Sequence, residues 1–181
     1  MRLVILDRDG VINKESDAFI KSPEEWVPLP GSLEAIARLS QAGYTVVVAS
    51  NQSGIGRGLF TVKTLDDIHE RMKAEVAKAG GKIDSIFFCP HKPEDGCDCR
   101  KPKPGLFQRI MAYYVVPMRG VPAIGDSLRD LEAARAAGAR PILVRTGRGE
   151  ITLKGLGANA AFTEVYPNLG SAVTQLLGEL H

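Results

Sequence analysis

Apolar positions in this chain follow two rhythms. Short, nearly unbroken apolar runs fall at 3–6, 44–49, 83–88, 121–124 and 141–144, with a weaker one at 160–162. Runs of this length, rich in β-branched residues, read as strands buried on both faces. Between them the apolar positions recur at helical spacing. Leu33, Ile36, Ala37 and Leu39 form one stripe, and Leu65, Ile68, Met72 and Val76 another. These predict helices over 31–42 and 64–79, stopped by Gly43 and by the Gly80-Gly81 pair. Further helices are predicted over 104–114, 128–137 and 168–180, the first with Pro104 at its start. The alternation predicts an α/β fold: a doubly wound, mostly parallel sheet with helices on both faces. Sheets of this kind bind ligands beyond the carboxyl ends of their strands.

Two stretches break the alternation, 11–30 and 89–103. They are the expected functional loops. The first is too short to fold as a separate cap. The 181 residues are therefore expected to form one domain, with an insert at 11–30 and a metal-binding loop at 89–103. Trp26 is expected to pack the insert, and His69 to lie solvated on the polar face of its helix.

Composition adds exclusions. Twenty-three Lys and Arg against 21 Asp and Glu leave a net charge of +2, so neither nucleic acid nor a membrane surface is an expected partner. No apolar run reaches spanning length, and a cytoplasmic monomer is expected. All three cysteines lie between positions 89 and 99. Cys89, His91, Cys97 and Cys99 form a C-x-H-x5-C-x-C cluster. Three thiols and one imidazole complete a tetrahedral zinc shell with no open position, so the expected zinc is structural. The residues between its halves, Lys92 to Gly96, offer nothing apolar to pack, and metal would supply their order.

Polar clusters stand at the strand ends. Asp7-Arg8-Asp9-Gly10 follows the first strand, and Ser50-Asn51-Gln52-Ser53-Gly54 ends the second. Arg100-Lys101 precedes the Pro104 helix, and Gly125-Asp126-Ser127 follows the fourth strand, with Asp130 one turn on. Each cluster alone has an ordinary explanation: a turn, a polar loop, a charged loop, a helix cap at Asp126. Together they supply carboxylates for magnesium, a carboxylate nucleophile, a hydroxyl and a lysine.

In this order the clusters resemble the haloacid dehalogenase superfamily of phosphatases. The resemblance implies a phosphomonoesterase working through an aspartyl-phosphate. Asp7 would be the nucleophile and a magnesium ligand. Asp9 would move the proton and lend its backbone carbonyl to the metal. Ser50 would hold the phosphoryl group, Lys101 would balance its charge, and Asp126 would complete the magnesium site with Asp130 beside it. The cysteine-histidine cluster is similar to that of the histidinol-phosphatase branch, whose members act on histidinol phosphate or on a heptose bisphosphate. The run from Ser50 to Gly58, with Arg57, is closer to the sugar-bisphosphate members. Asn51, Gln52, Ser53, Arg57 and Arg100 are then the expected substrate contacts, the arginines for a second phosphate. A small phosphorylated sugar is the expected partner, and histidinol phosphate the alternative. A polynucleotide 3′-phosphate is more remote. An interaction module built on the zinc loop would leave Asp7, Asp9, Lys101 and Asp126 without a purpose.

Overall fold

A computed structural model describes residues 1–181. Six strands form one parallel sheet: β1 (Arg2–Leu6), β2 (Tyr44–Asn51), β3 (Ser85–Cys89), β4 (Pro122–Gly125), β5 (Arg140–Val144) and β6 (Glu164–Tyr166). Their order across the sheet is β3-β2-β1-β4-β5-β6. The helices are α1 (Ser32–Gln41), α2 (Val62–Lys78), α3 (Gly105–Tyr114), α4 (Leu128–Ala137), α5 (Gly149–Leu156) and α6 (Leu169–Gly178).

The two-residue period of the strands sorts their side chains between two cores. Val4, Leu6, Val46 and Val48 point to one face, where α1, α2 and α6 cover them through Ile36, Leu39, Ile68, Met72 and Val173. Leu3, Ile5, Val47 and Ala49 point to the other, beneath Leu106, Phe107 and Ile110 of α3 and Ala133 and Ala134 of α4. Both faces of the central strands are dry, which is why these strands read as continuous apolar runs rather than alternating ones.

Three expectations are corrected here. The sixth strand lies at Glu164–Tyr166; the run at 160–162 belongs to a 3-10 turn. Helix α5 was not expected, because it buries only Gly149 and Leu156 and so leaves a weak apolar stripe. His69 is buried rather than solvated. The insert at 11–30 carries one 3-10 turn and isolated bridges from Asn13 to Asp9 and Pro28, with no separate cap. Trp26 is fully buried under it.

Candidate active site

The order in which strands are added reverses between β1 and β4, the switch point where parallel sheets open a crevice. Asp7 leaves β1 there, its N–H donating to the Ile124 carbonyl of β4 at 2.9 Å. Asp126 leaves β4 on the other side. Gly10 lets the two approach: its φ is +84°, and a Cβ there would collide with the Asp126 carboxylate. Asp126 Oδ2 accepts the backbone N–H of Arg148 at 2.9 Å, which aims the carboxylate into the crevice.

Lys101 arrives from the loop before α3 and is 3 % exposed. Its Nζ donates to Asp7 Oδ1 at 3.0 Å, Asp130 Oδ1 at 2.6 Å and the Ala49 carbonyl at 2.8 Å. Burial alone would discharge the amine, but the Asp130 and Asp7 carboxylates outweigh it and hold the ammonium. Asp130 is fully committed. Its Oδ2 accepts from the backbone N–H groups of Asp126 and Ser127 and from Ser127 Oγ. Ser127 and Asp130 thus make the capping box of α4, so the cap is Ser127 rather than Asp126. Lys101 and these donors overcome burial and keep the Asp130 carboxyl ionised.

Asp7 is compensated only in part, and Asp126 has no cation within ion-pair distance. Burial, followed by the Asp130 charge, pushes the Asp7 carboxyl up to about 7 against the pull of Lys101. Burial, then Asp7 and Asp130, pushes Asp126 up to about 9. Oxygens of Asp7, Asp126 and Asp130 lie within 4.8 Å of one another. Carboxylates gathered beyond the reach of one lysine fit a hard divalent cation. Asp7 and Asp126 retain oxygens for it, whereas Asp130 does not.

Asp9 is held differently. Its Oδ1 accepts from Arg8 Nε at 3.0 Å and Asn13 Nδ2 at 2.9 Å, and its Oδ2 from Gln52 Nε2 at 3.1 Å. Burial would raise its carboxyl, but the Arg8 charge and these hydrogen bonds win and lower it. Ser50 departs from expectation: it is 1 % exposed, does not face the crevice, and accepts from Gln52 Nε2 at 2.8 Å. The Gln52 amide thus stands between Ser50 and the crevice while also holding Asp9. Asn51 clamps the lysine loop, its amide donating to the Lys101 carbonyl at 3.1 Å and its Oδ1 accepting the Lys101 N–H at 3.0 Å.

Only Phe19 and Ile20 are hydrophobic among the 17 residues that line the crevice. Asn51, Gln52, Ser53, Arg57, Arg100, Glu15 and Ser16 face it, as do Arg129 and Arg148, which the sequence had not singled out. Arg57 donates to Ser53 Oγ at 3.2 Å and lies over the Phe19 ring, and Arg100 donates weakly to the His91 carbonyl at 3.4 Å. Burial and then the neighbouring Arg129 and Arg57 charges depress Arg100. Three arginines crowd together, and none is paired with a carboxylate. Arg129 had a signal in the sequence: it occupies the first turn of α4, where the helix dipole disfavours a cation. Arg148 instead pairs with Glu15 at 2.9 Å.

The cysteine cluster lies outside the crevice lining and leads directly into Arg100 and Lys101. Cys89 Sγ lies 3.6 Å from Cys97 Sγ and 3.0 Å from Cys99 Sγ, and His91 Nδ1 lies 3.5 and 3.4 Å from Cys89 and Cys99. Tetrahedral ligands at zinc–sulfur distances are spaced by roughly 3.7 Å, so the four donors fit one closed site. Burial opposes ionisation of Cys97, but the Arg100 backbone N–H and the neighbouring thiols bring it down to about 6.

A carboxylate at the switch point, a buried lysine and two carboxylates poised for a cation define a haloacid dehalogenase-like phosphatase. A HAD-hydrolase-like family model matches residues 98–172, and a polynucleotide kinase 3 phosphatase model matches residues 2–120. The D-glycero-β-D-manno-heptose-1,7-bisphosphate 7-phosphatase of Bordetella bronchiseptica is 56 % identical over 179 residues, 99 % of each chain. That of Pseudomonas putida is 58 % identical over 154 residues, covering 85 % of this chain and 88 % of its own. The crystal structure of the B. bronchiseptica D,D-heptose 1,7-bisphosphate phosphatase, complexed with magnesium and phosphate, superposes with a TM-score of 0.95 over 99 % of both chains. The Burkholderia thailandensis enzyme, 46 % identical, superposes at 0.77 over 98 % of this chain and 99 % of its own. This chain belongs to the family of D-glycero-D-manno-heptose-1,7-bisphosphate 7-phosphatases.

Proposed function

We propose that this chain removes the 7-phosphate of D-glycero-D-manno-heptose 1,7-bisphosphate, and that its 181 residues act as one phosphatase domain. The observation that carries the reading is the pairing, in one crevice, of the Asp7–Lys101–Asp126 centre with three arginines that have no carboxylate partner. A substrate with anions at both ends matches both halves. Histidinol phosphate, with cationic groups remote from its phosphate, would face arginines instead of acids. A polynucleotide would need a basic track beyond the crevice. The relatives' names support the β anomer.

In this reading Asp7 Oδ attacks phosphorus, forming an acyl phosphate and breaking the bond to the leaving oxygen. Asp9, ionised in the free protein, takes the proton of the phosphate monoanion as the substrate binds and gives it to that oxygen. Water then attacks the acyl phosphate, Asp9 takes its proton, and inorganic phosphate leaves with Asp7 restored. Lys101 stabilises charge on the transferring group. Ser50 supports the Gln52 amide that holds Asp9 Oδ2, and in this reading it would contact the phosphoryl group only if that amide exchanged partners. Asp7, Asp126 and the Asp9 carbonyl would hold magnesium, which when bound neutralises phosphate charge. Cys89, His91, Cys97 and Cys99 would hold zinc and so fix the loop that delivers Arg100 and Lys101. Within this reading the chain acts as a monomer. A polyanionic sugar phosphate does not cross a bilayer, which supports the cytoplasm as the place of reaction.

The test compares Arg57→Ala, Arg100→Ala and Arg129→Ala on the bisphosphate and on a sugar monophosphate. Each lost charge-assisted contact is expected to cost about 1.5–3 kcal/mol, roughly ten- to a hundredfold in kcat/KM, on the bisphosphate alone. Equal losses on both esters would reject the subsite, and wild-type preference for histidinol phosphate would reject the substrate.

A further inference from the structure

Arg8 lies between the two aspartates that follow β1, and its side chain is completely buried. A buried guanidinium needs acceptors for its donors. Nε donates to Asp9 Oδ1 at 3.0 Å, and Nη1 meets His69 Nε2 at 3.2 Å. Nη2 comes within 2.9 Å of the same Asp9 oxygen but lacks hydrogen-bond geometry, so it contributes charge only. His69 is therefore the one acceptor that keeps the guanidinium from turning about its bond to Asp9. From these contacts we infer that His69, although it does not line the crevice, is a positioning residue for Asp9 and acts through the buried Arg8.

Two further observations fit that role. A guanidinium only donates, so His69 Nε2 must present a lone pair and Nδ1 must carry the proton. Burial, reinforced by the Arg8 charge, pushes the imidazole down to about 3, so it stays an acceptor across the range in which such an enzyme works. The contacts on Asp9 are also unequal. Oδ1 is pinned by Arg8 and Asn13, while Oδ2 has only the Gln52 amide. Pinning one oxygen fixes the direction of the other, which is the one free to exchange a proton with the substrate. An Arg–Asp pair serving stability alone would not need this division.

The inference rests on the reading of Asp9 as the group that protonates the leaving oxygen. It is tested by the leaving-group dependence of kcat/KM, which reports steps up to formation of the acyl phosphate. The variants are His69→Phe, which keeps a ring beside Phe88 without the acceptor, His69→Leu, and His69→Gln, which restores an acceptor. The substrates are the sugar bisphosphate, whose alkoxide leaves only with a proton, and p-nitrophenyl phosphate, whose phenolate leaves without one. His69→Phe and His69→Leu are expected to lose about tenfold or more on the sugar phosphate and less than about threefold on the aryl ester. His69→Gln is expected to recover most of the loss. Partial unfolding lowers both rates together and so cannot mimic the contrast. Equal losses on both esters, or none on either, overturn the inference. Asp9→Asn separates the two levels. If it shows the contrast and the His69 variants do not, the inference fails and the reading of Asp9 stands. If Asp9→Asn shows no contrast, both fall.

Discussion

Replacing Lys101 by methionine keeps the stem and removes the charge at the centre of the site. Lys101 is 3 % exposed, and its partners Asp7 and Asp130 are 14 % and 9 % exposed. Solvent screening is therefore slight, and removing one partner of such a buried group costs about 3–5 kcal/mol. The Ala49 carbonyl, which accepts from Lys101 Nζ at 2.8 Å, loses its donor as well. The loss should depend on pH, and the sign follows from Asp130. In the wild type, Lys101 outweighs burial and holds the Asp130 carboxyl below its ordinary value. Without the lysine, burial dominates and Asp130 takes a proton in the folded state that it does not hold unfolded. Stability of the variant then falls as pH rises, because the folded state must give up that proton. Urea unfolding in magnesium-free buffer, without chelator so that the zinc cluster is undisturbed, is expected to show a deficit of about 3 kcal/mol or more at pH 8 that shrinks at pH 5.5. A deficit below about 1 kcal/mol, the scale of an exposed ion pair, and flat with pH would refute the view that Lys101 balances the buried carboxylates.

Asp7→Asn should fold normally and lose all but a trace of turnover, since an amide neither attacks phosphorus nor binds magnesium well; sustained activity with deamidation excluded by mass spectrometry would reject Asp7 as nucleophile. Metal analysis of protein purified without a histidine tag should find one zinc per chain, with Cys97→Ser and Cys99→Ser variants losing both metal and activity. A zinc-free and fully active preparation would contradict the role of the cluster. Asp126 and Asp7, raised to about 9 and about 7, hold protons in the folded metal-free protein that the unfolded chain has released, so metal-free stability declines as pH climbs through that range. Magnesium must displace those protons, so the rise in Tm that it causes should grow from pH 6 to pH 9; an increment independent of pH would mean the cation binds elsewhere.

Most of this protein was legible along the chain because its signals are local. Strands of a parallel sheet carry continuous apolar runs, so β1 to β5 stood out, whereas β6 is only three residues, Glu164 to Tyr166, with a charged residue first, and was misplaced by a few residues. The carboxylates at the end of β1 and the Cys89 to Cys99 cluster announced themselves through spacing, since their members are near neighbours in sequence. Distances across the fold had no such signal. Lys101 lies 94 residues from Asp7, and only the order of the strands brings the loop before α3 over the end of β1. His69 occupies a position that helical periodicity alone would give to solvent, yet the guanidinium of Arg8, 61 residues away, makes that position an interior one. Arg129 became a neighbour of Arg57 and Arg100 because α4 begins at the switch point, where the crevice opens. Periodicity encodes which face of an element is dry. Which polar groups then meet is decided by the stacking order of the elements, through the burial and charge that each group finds there.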